Sequence, residues 1–377
     1  MSSRLPVTWN RLPAASQAGT TPASATVLAP LALLLLMLLF GCSAAETAAP
    51  AESTAARLPG ASSVYPPSSY KVTLVAGEGV FEDVSSRNLI VGMMNGLAVA
   101  MPLGGALVNL PLGPGQWSHA HGVNARGQIV GNLNLGSLTA PNLVPAFWPS
   151  TTSAPIILKY PGEAVDINDH GLVVGTISRG GFTYGIVWDF SGLVGTQLTV
   201  LPPLPGGGRS TSAVAINNDW VIVGMSDSRT GWVPVVWLRS GAGWVPRQVT
   251  GGIVGYDIDA GIGIVGVTSN RASFGDPDHG GYFAALGPSM AWAVNDRGVA
   301  TGDDAGSSPG WPQYTSAFVA DRGGAFTVLP MPANPNGFAW RASYGYGINS
   351  CGVVVGTGWA FPGHPYTAQP MVWDPGC

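Results

Sequence analysis

The sequence is short of charge. Only 10% of its 377 residues are charged, and just two of them, Lys71 and Lys159, are lysines. No basic cluster stands anywhere in the chain, which argues against nucleic-acid binding by phosphate neutralisation. A polybasic or amphipathic stretch able to dock a folded domain on an anionic membrane is missing as well. No acidic residue precedes Glu46. There are three cysteines, none paired at zinc spacing, and there is neither a His-Glu-x-x-His helix nor a Walker loop. No catalytic residue is assigned.

What is abundant is glycine (54) and proline (32), in a chain that is 46% apolar. That mixture is too hydrophobic for disorder and too rich in turn formers for a helical protein. One nine-residue phrase organises it, clearest at Ile167-Asn168-Asp169-His170-Gly171-Leu172-Val173-Val174-Gly175. It returns at Val123 to Gly131, Ile216 to Gly224, Val294 to Gly302 and Ile348 to Gly356, with degraded copies at Val84 to Gly92 and Ile258 to Gly266. The phrase reads as a β-hairpin. Ile or Val ends a strand, and a short polar side chain bonds its own backbone in the turn. The fifth-place Gly suits positive φ, and a β-branched run opens the next strand. The closing Gly points to a bulge or a close neighbour.

Each unit carries four strand-like pieces. The third holds Ala146-Phe147-Trp148, Ile186-Val187-Trp188, Pro234 to Leu238 or Met371-Val372-Trp373, and the fourth often ends in Leu-Pro, as at Leu201-Pro202. Trp148, Trp188, Trp237 and Trp373 are assigned to packing inside or between units. Seven four-stranded units at about 44 residues each predict a single all-β β-propeller over residues 70–377. The last unit stops after its third strand, and an orphan strand at Tyr70 to Val75 precedes the first. That strand is expected to complete the final blade and close the ring. The Ile258 unit is irregular. Only Gly287 to Ser289 separates its expected third strand from Met290, so its outer strand is missing or displaced, and six or eight blades stay open as alternatives.

The N-terminus reads as an address. Arg4 and Arg11 precede an apolar run, Leu31 to Phe40, shorter than the ~20 residues a spanning helix needs, and the run ends at Gly41-Cys42-Ser43. This resembles a bacterial lipoprotein lipobox. Residues 1–41 are expected to be a signal peptide and Cys42 the lipidated first residue of the mature chain. An uncleaved N-terminal anchor is the alternative. Residues 42–69, rich in Ala, Ser and Pro, read as a flexible tether. Without Arg4 and Arg11 the formal charge moves from −4 to about −6. Ser43 carries no inner-membrane retention signal, which points to the outer membrane, on its periplasmic or outer side. Cys351 and Cys377 fall in one expected blade, where an exported compartment permits a disulfide; two free thiols are the alternative.

The units resemble the HAF-type extracellular repeats of bacterial proteins. The pattern is Ile-Asn-x-x-Gly-x-Val-Val-Gly, then Ala-Phe-x-Trp, then Leu-Pro-x-Leu-Pro-Gly-Gly, and it is carried by Ile167 to Gly175, Ala146-Phe147-Trp148 and Leu201 to Gly207. The resemblance implies export and repeat architecture and carries no reaction. The His that often precedes Ala-Phe in those repeats is replaced by Pro145 and Ser316.

Loops between second and third strands are expected to form a ligand face, because they vary on a rigid scaffold. They carry Phe182, Tyr184, Trp232, Phe274, Tyr282, Trp311, Tyr314, Trp359, Phe361 and Tyr366, aromatic groups able to stack on sugar rings or anchor a protein. Asp276-Pro277-Asp278-His279 is the most ligand-like cluster. With Asp303-Asp304 it could hold calcium or do acid–base work; an acidic surface loop is the plain alternative. His119-Ala120-His121 puts two imidazoles on one strand face. Asp296-Arg297 and Asp321-Arg322 read as hairpin-turn surface charges. No cofactor is expected beyond that calcium. The leading functional expectation is a lipid-anchored, non-catalytic binding or scaffold module for a glycan or envelope protein, which touches the membrane through its lipid only. A polysaccharide hydrolase or lyase at the channel mouth is the alternative, and a structural envelope protein the third. The sequence leaves the oligomeric state open.

Overall fold

A computed structural model describes residues 69–376 except 138, 159, 193–196, 242, 282–287, 306–314, 334–339 and 361–366. The expected signal peptide, Cys42, the expected tether up to residue 68 and Cys377 lie outside the described residues, as do Tyr282, Trp311, Tyr314, Phe361 and Tyr366.

The chain forms seven antiparallel sheets in a ring, a seven-bladed β-propeller. The first strands of blades 1 to 7 are Gly79–Val84, Trp117–Val123, Gly162–Ile167, Thr211–Ile216, Val254–Ile258, Ser289–Val294 and Trp340–Ile348. Each touches the first strand of both neighbouring blades, so these seven strands form the innermost ring around the channel. The ring closes as the chain ends suggest. Lys71–Leu74 pairs antiparallel with Thr367–Asp374 and supplies the fourth strand of blade 7.

The core is a set of layers between blades. Seven apolar clusters are each drawn from two adjacent blades, the last joining Val353, Val355 and Val372 of blade 7 to Phe81 and Ile90 of blade 1. The third-strand tryptophans are fully buried in these layers. Their indole nitrogens explain the Leu-Pro motif. Trp148 Nε1 donates to the Pro111 carbonyl (2.9 Å), Trp237 to Pro202 (2.8 Å) and Trp373 to Pro330 (2.7 Å). At these three, though not at Trp188, a proline ending one blade's outer strand thus satisfies the next blade's buried indole, which would otherwise cost free energy.

Blade 5 departs from expectation. Its third strand is Arg271–Gly275, upstream of the segment the spacing indicated, and its sheet has three strands among the described residues. The two-residue turn Ser269-Asn270, both residues at positive φ (48° and 62°), brings that strand straight back against Ile264–Thr268. The segment just before Gly287, read from sequence as the third strand, lies outside the described residues.

Candidate functional site

The repeated phrase does structural work. Asn168 Oδ1 accepts the amides of His170 (3.1 Å) and Leu172 (3.0 Å), while its Nδ2 donates to the Asn217 carbonyl of the next blade (3.0 Å). Asn124 reaches Asn168 in the same way, Asn217 reaches Asp259, Asn295 reaches Asn349, and Asn349 reaches Ser85. Each side chain therefore closes its own hairpin and latches one blade to the next. The fifth-place Gly takes positive φ, +85° at Gly171, as expected; Trp220 holds φ 63° in the same place.

Where the phrase is degraded the amide latch is lost, because Ser85 and Asp259 have no side-chain amide to donate. Carboxylates bridge those junctions, and also the Asn168 junction where the amide latch is intact. Asp83 Oδ2 accepts the Val123 amide of blade 2 (2.9 Å), and Asp257 Oδ2 accepts the Val294 amide of blade 6 (2.8 Å). Asp166 does the same to Ile216 (2.7 Å). Arg322 is exposed, as its turn position suggested, but it is not a solitary surface charge. It pairs with Asp259, whose side chain is 3% exposed, and lies over the Phe274 ring. The irregular blade supplies the reason: Asp259 in place of Asn leaves a buried charge that needs a cation.

The closing glycines mark a bulge. Opposite Gly131, Gly175, Gly302 and their counterparts, the first strand skips register at one residue. A Cβ on the glycine would overlap the carbonyl oxygen of the facing strand, that of His119 at Gly131. The bulged residue just after the paired position is half-buried in all seven blades, and the residue just before it in five, with His119 and Ser212 buried there. These residues form the channel wall.

The wall has two arcs. Blades 1 to 3 supply Glu82, His119, His121 and Glu163. His119 Nε2 lies 3.1 Å from Glu82 Oε1, and the two imidazole centroids are 4.3 Å apart, so the paired histidines do share a face. Burial raises the Glu163 carboxyl above its ordinary range, and nearby His119 opposes the rise. Blades 5 to 7 supply Tyr256, Trp292, Tyr344 and Tyr346. The Trp292 centroid is 4.7 Å from Tyr256 and 6.2 Å from Tyr346, and Tyr344 and Tyr346 stack at 5.9 Å. Trp292 Nε1 donates to Asp303, and burial, then the Asp303 charge, pushes the Tyr256 hydroxyl up to about 12. Next to the wall, burial pushes Asp83 up to about 7, reinforced by Asp166, and Asp166 up to about 6. Asp257 is raised well above the carboxylate range, by burial first and then by Asp166 and Asp83.

The residues expected at a loop face are placed differently. Tyr184 sits in Phe182–Asp189, Trp232 in Gly231–Ser240, Phe274 in Arg271–Gly275 and Trp359 in Val354–Ala360. All are strand residues. Tight turns such as Gly180-Gly181 let the strands run on into what the sequence suggested were loops. Asp276, Asp278 and His279 do form a loop. The Asp276 carboxylate accepts the Asp278 (2.7 Å) and His279 (2.8 Å) amides, and Asp278 pairs with Arg247 of blade 4. Burial raises Asp276, but these amides and His279 hold it below the ordinary carboxylate range. Asp303 faces Trp292 instead, and Asp304 is fully buried, so the two groups do not assemble into one site. Among the described residues, no three His, Cys, Asp or Glu side chains are placed to hold a metal ion.

No family model and no curated protein matches the chain. Among solved structures it is similar to the beta-propeller domain of the Trilobed protease from Pyrococcus furiosus, described as having an open velcro topology. Identity is 9% and the TM-score 0.46, over 77% of this chain and 97% of that one. A closed propeller supports a binding or scaffold role in general.

Proposed function

We propose that the protein is an exported binding module of the bacterial cell envelope, lipid-anchored through Cys42, whose partner, a glycan or an envelope protein, enters the channel. Residues 1–41 as leader, 42–69 as tether, outer-membrane placement, kinship with HAF-type repeats and a Cys351–Cys377 bridge belong to the same proposal. One observation carries the binding site. Around a ring whose buried positions repeat from blade to blade, the half-exposed wall positions do not repeat, and they gather carboxylates, imidazoles and aromatic rings. Fold stability does not ask for such a set; polar groups converging beside aromatic surface are what ligand sites use.

The test is a glycan array and an envelope-extract pull-down with the full chain. Retention that Trp292→Ala abolishes, with Trp232→Ala and Trp359→Ala harmless, is the expected result. Retention lost through Trp232 or Trp359 and untouched by Trp292 would move the site to the blade edges. A second reading, hydrolysis or elimination on a polysaccharide, draws on the raised Glu163 carboxyl beside the Glu82–His119 pair. It predicts shortened glycan in the same assay, and Glu163→Gln should stop its appearance.

A further inference from the structure

A second surface lies outside the channel, at the end of blades 3 and 4 that carries their second-to-third-strand turns. We propose that it binds an acidic polysaccharide, whose carboxylates are held by Arg179, Arg209 and Arg229. Arg179 stands at the turn from Leu172–Arg179 into Phe182–Asp189, and Arg229 at the turn from Val221–Ser228 into Gly231–Ser240. Arg209 lies on the link that joins the two blades. Scattered in sequence, the three are gathered by the fold. Arg209 lies over the Phe182 ring (5.5 Å to its centroid), and Phe182 pairs with Arg179 across its hairpin. Arg229 Nε donates to the carbonyl of Gly206, on the same link as Arg209 (3.2 Å).

The first support is unmatched positive charge. All three arginines are exposed, and none forms an ion pair among the described residues. Asp227, on the strand leading to Arg229, lies against Gly208 and pairs with none of them. Of their guanidinium N–H groups, only Arg229 Nε has a protein acceptor among the described residues. The forks are therefore open to a carboxylate, whose two oxygens match their geometry. Two of them are also held in place. Arg179 lies over the Tyr160 ring (5.5 Å), as Arg209 does over Phe182, and stacking steadies a guanidinium while leaving its N–H edge open. Tyr160 itself takes φ 78°, a left-handed conformation that costs a bulky residue free energy and is kept where it serves a ligand clamp.

The second support is shape. Arg229 lines an open groove of about 520 Å³ together with Ser228, Thr230 and Gln248, and with apolar Pro205 and Val233. Hydroxyl and amide groups beside apolar surface suit a sugar ring, which is polar at its rim and apolar on its C–H faces. Three guanidiniums also suit carboxylates carried at intervals along such a chain. A bilayer surface or a nucleic acid calls for a larger set of cations.

The experiment is calorimetric titration of the full chain with hexagalacturonate, its neutral methyl ester and hexa-aspartate. The free acid should bind, more weakly as salt rises, and the ester should bind about tenfold less tightly or worse. Arg179→Gln, Arg209→Gln and Arg229→Gln should each lower affinity for the acid about fivefold without moving the denaturant midpoint. Arg126→Gln, at an exposed turn of blade 2, should not lower it. Equal affinity for acid and ester would overturn the proposal, as would affinity untouched by all three substitutions or no binding of any probe. Hexa-aspartate binding as tightly as the sugar acid would overturn the polysaccharide in favour of an acidic peptide. None of these outcomes bears on Trp292, so the channel reading stands or falls separately.

Discussion

The two faces of the innermost strands obey different rules. On the buried face, Phe81, Ala120, Ala164, Ala213, Gly255, Ala291 and Gly345 stand at one register opposite the closing glycines. All but Phe81 are small, because the blades crowd together there. One residue further on, at the bulge, the chain places Glu82, His121, Val165, Val214, Tyr256, Trp292 and Tyr346, which range from acidic through aliphatic to aromatic. Repetition marks what the ring requires, and its failure at a fixed register marks where the ring is free to do something else.

The largest effect should come from the repeated side. Trp237→Ala removes a fully buried indole and orphans the Pro202 carbonyl. It should cost about 3–5 kcal/mol, measured as a lower denaturant midpoint; a loss under ~1 kcal/mol would mean the inter-blade layers are not the core.

Next come the two kinds of latch. Arg322→Met leaves Asp259 buried and unpaired and should cost about 3 kcal/mol. Adding Asp259→Asn should recover most of that loss, because it restores the phrase's amide. Failure of the double variant to recover would show that the ion pair is more than a substitute. Asn168→Ala, which strands two amides and a carbonyl, should cost about 1–3 kcal/mol.

The carboxylate latches predict a pH dependence. Asp83 and Asp166 titrate near 7 and near 6 in the folded ring, well above an unfolded Asp at 3.8. Folded carboxyls with raised pKa favour the fold when protonated, so their contribution is full below pH ~4 and is lost as pH rises through 6 to 7. Stability should fall by roughly 4 kcal/mol between pH 5 and pH 8. Glu82, Glu163, Asp257, His119 and His121 are the other ionisable groups of this neighbourhood. Chemical melts across that range should flatten in the Asp83→Asn/Asp166→Asn variant; an unchanged slope there would reassign the dependence to the imidazoles.

The smallest stability change should come from the wall. Glu163→Gln keeps the shape of a side chain whose charged form burial already disfavours, and it should shift stability by less than ~1 kcal/mol.

Much of the fold was legible because it is written several times. The hairpin phrase, the Trp strand, the Leu-Pro edge and the orphan strand at Tyr70 each state one local requirement, and together they specify blades and closure. The indole-to-proline bonds were not legible, since the partners lie about 35 to 43 residues apart. The wall stayed hidden for a related reason. His119 and His121 were visible as a pair, but Glu82, which meets His119, and Trp292, which meets Tyr346, are isolated in sequence and find these partners only because seven bulges fall at one level. Extending the phrase upstream by one residue would have revealed the Asp83, Asp166 and Asp257 series. Placing Tyr184 and Trp232 on loops failed because strand length across a two-residue turn is set by pairing, which composition does not show.

Hydroxyl-radical footprinting of the full chain, with and without a retained partner, tests the central claim most directly. The account predicts that oxidation drops at Trp292, Tyr344 and Tyr346 and stays constant at Tyr184, Trp232 and Trp359. Protection of that second set, with the channel aromatics unchanged, would contradict it.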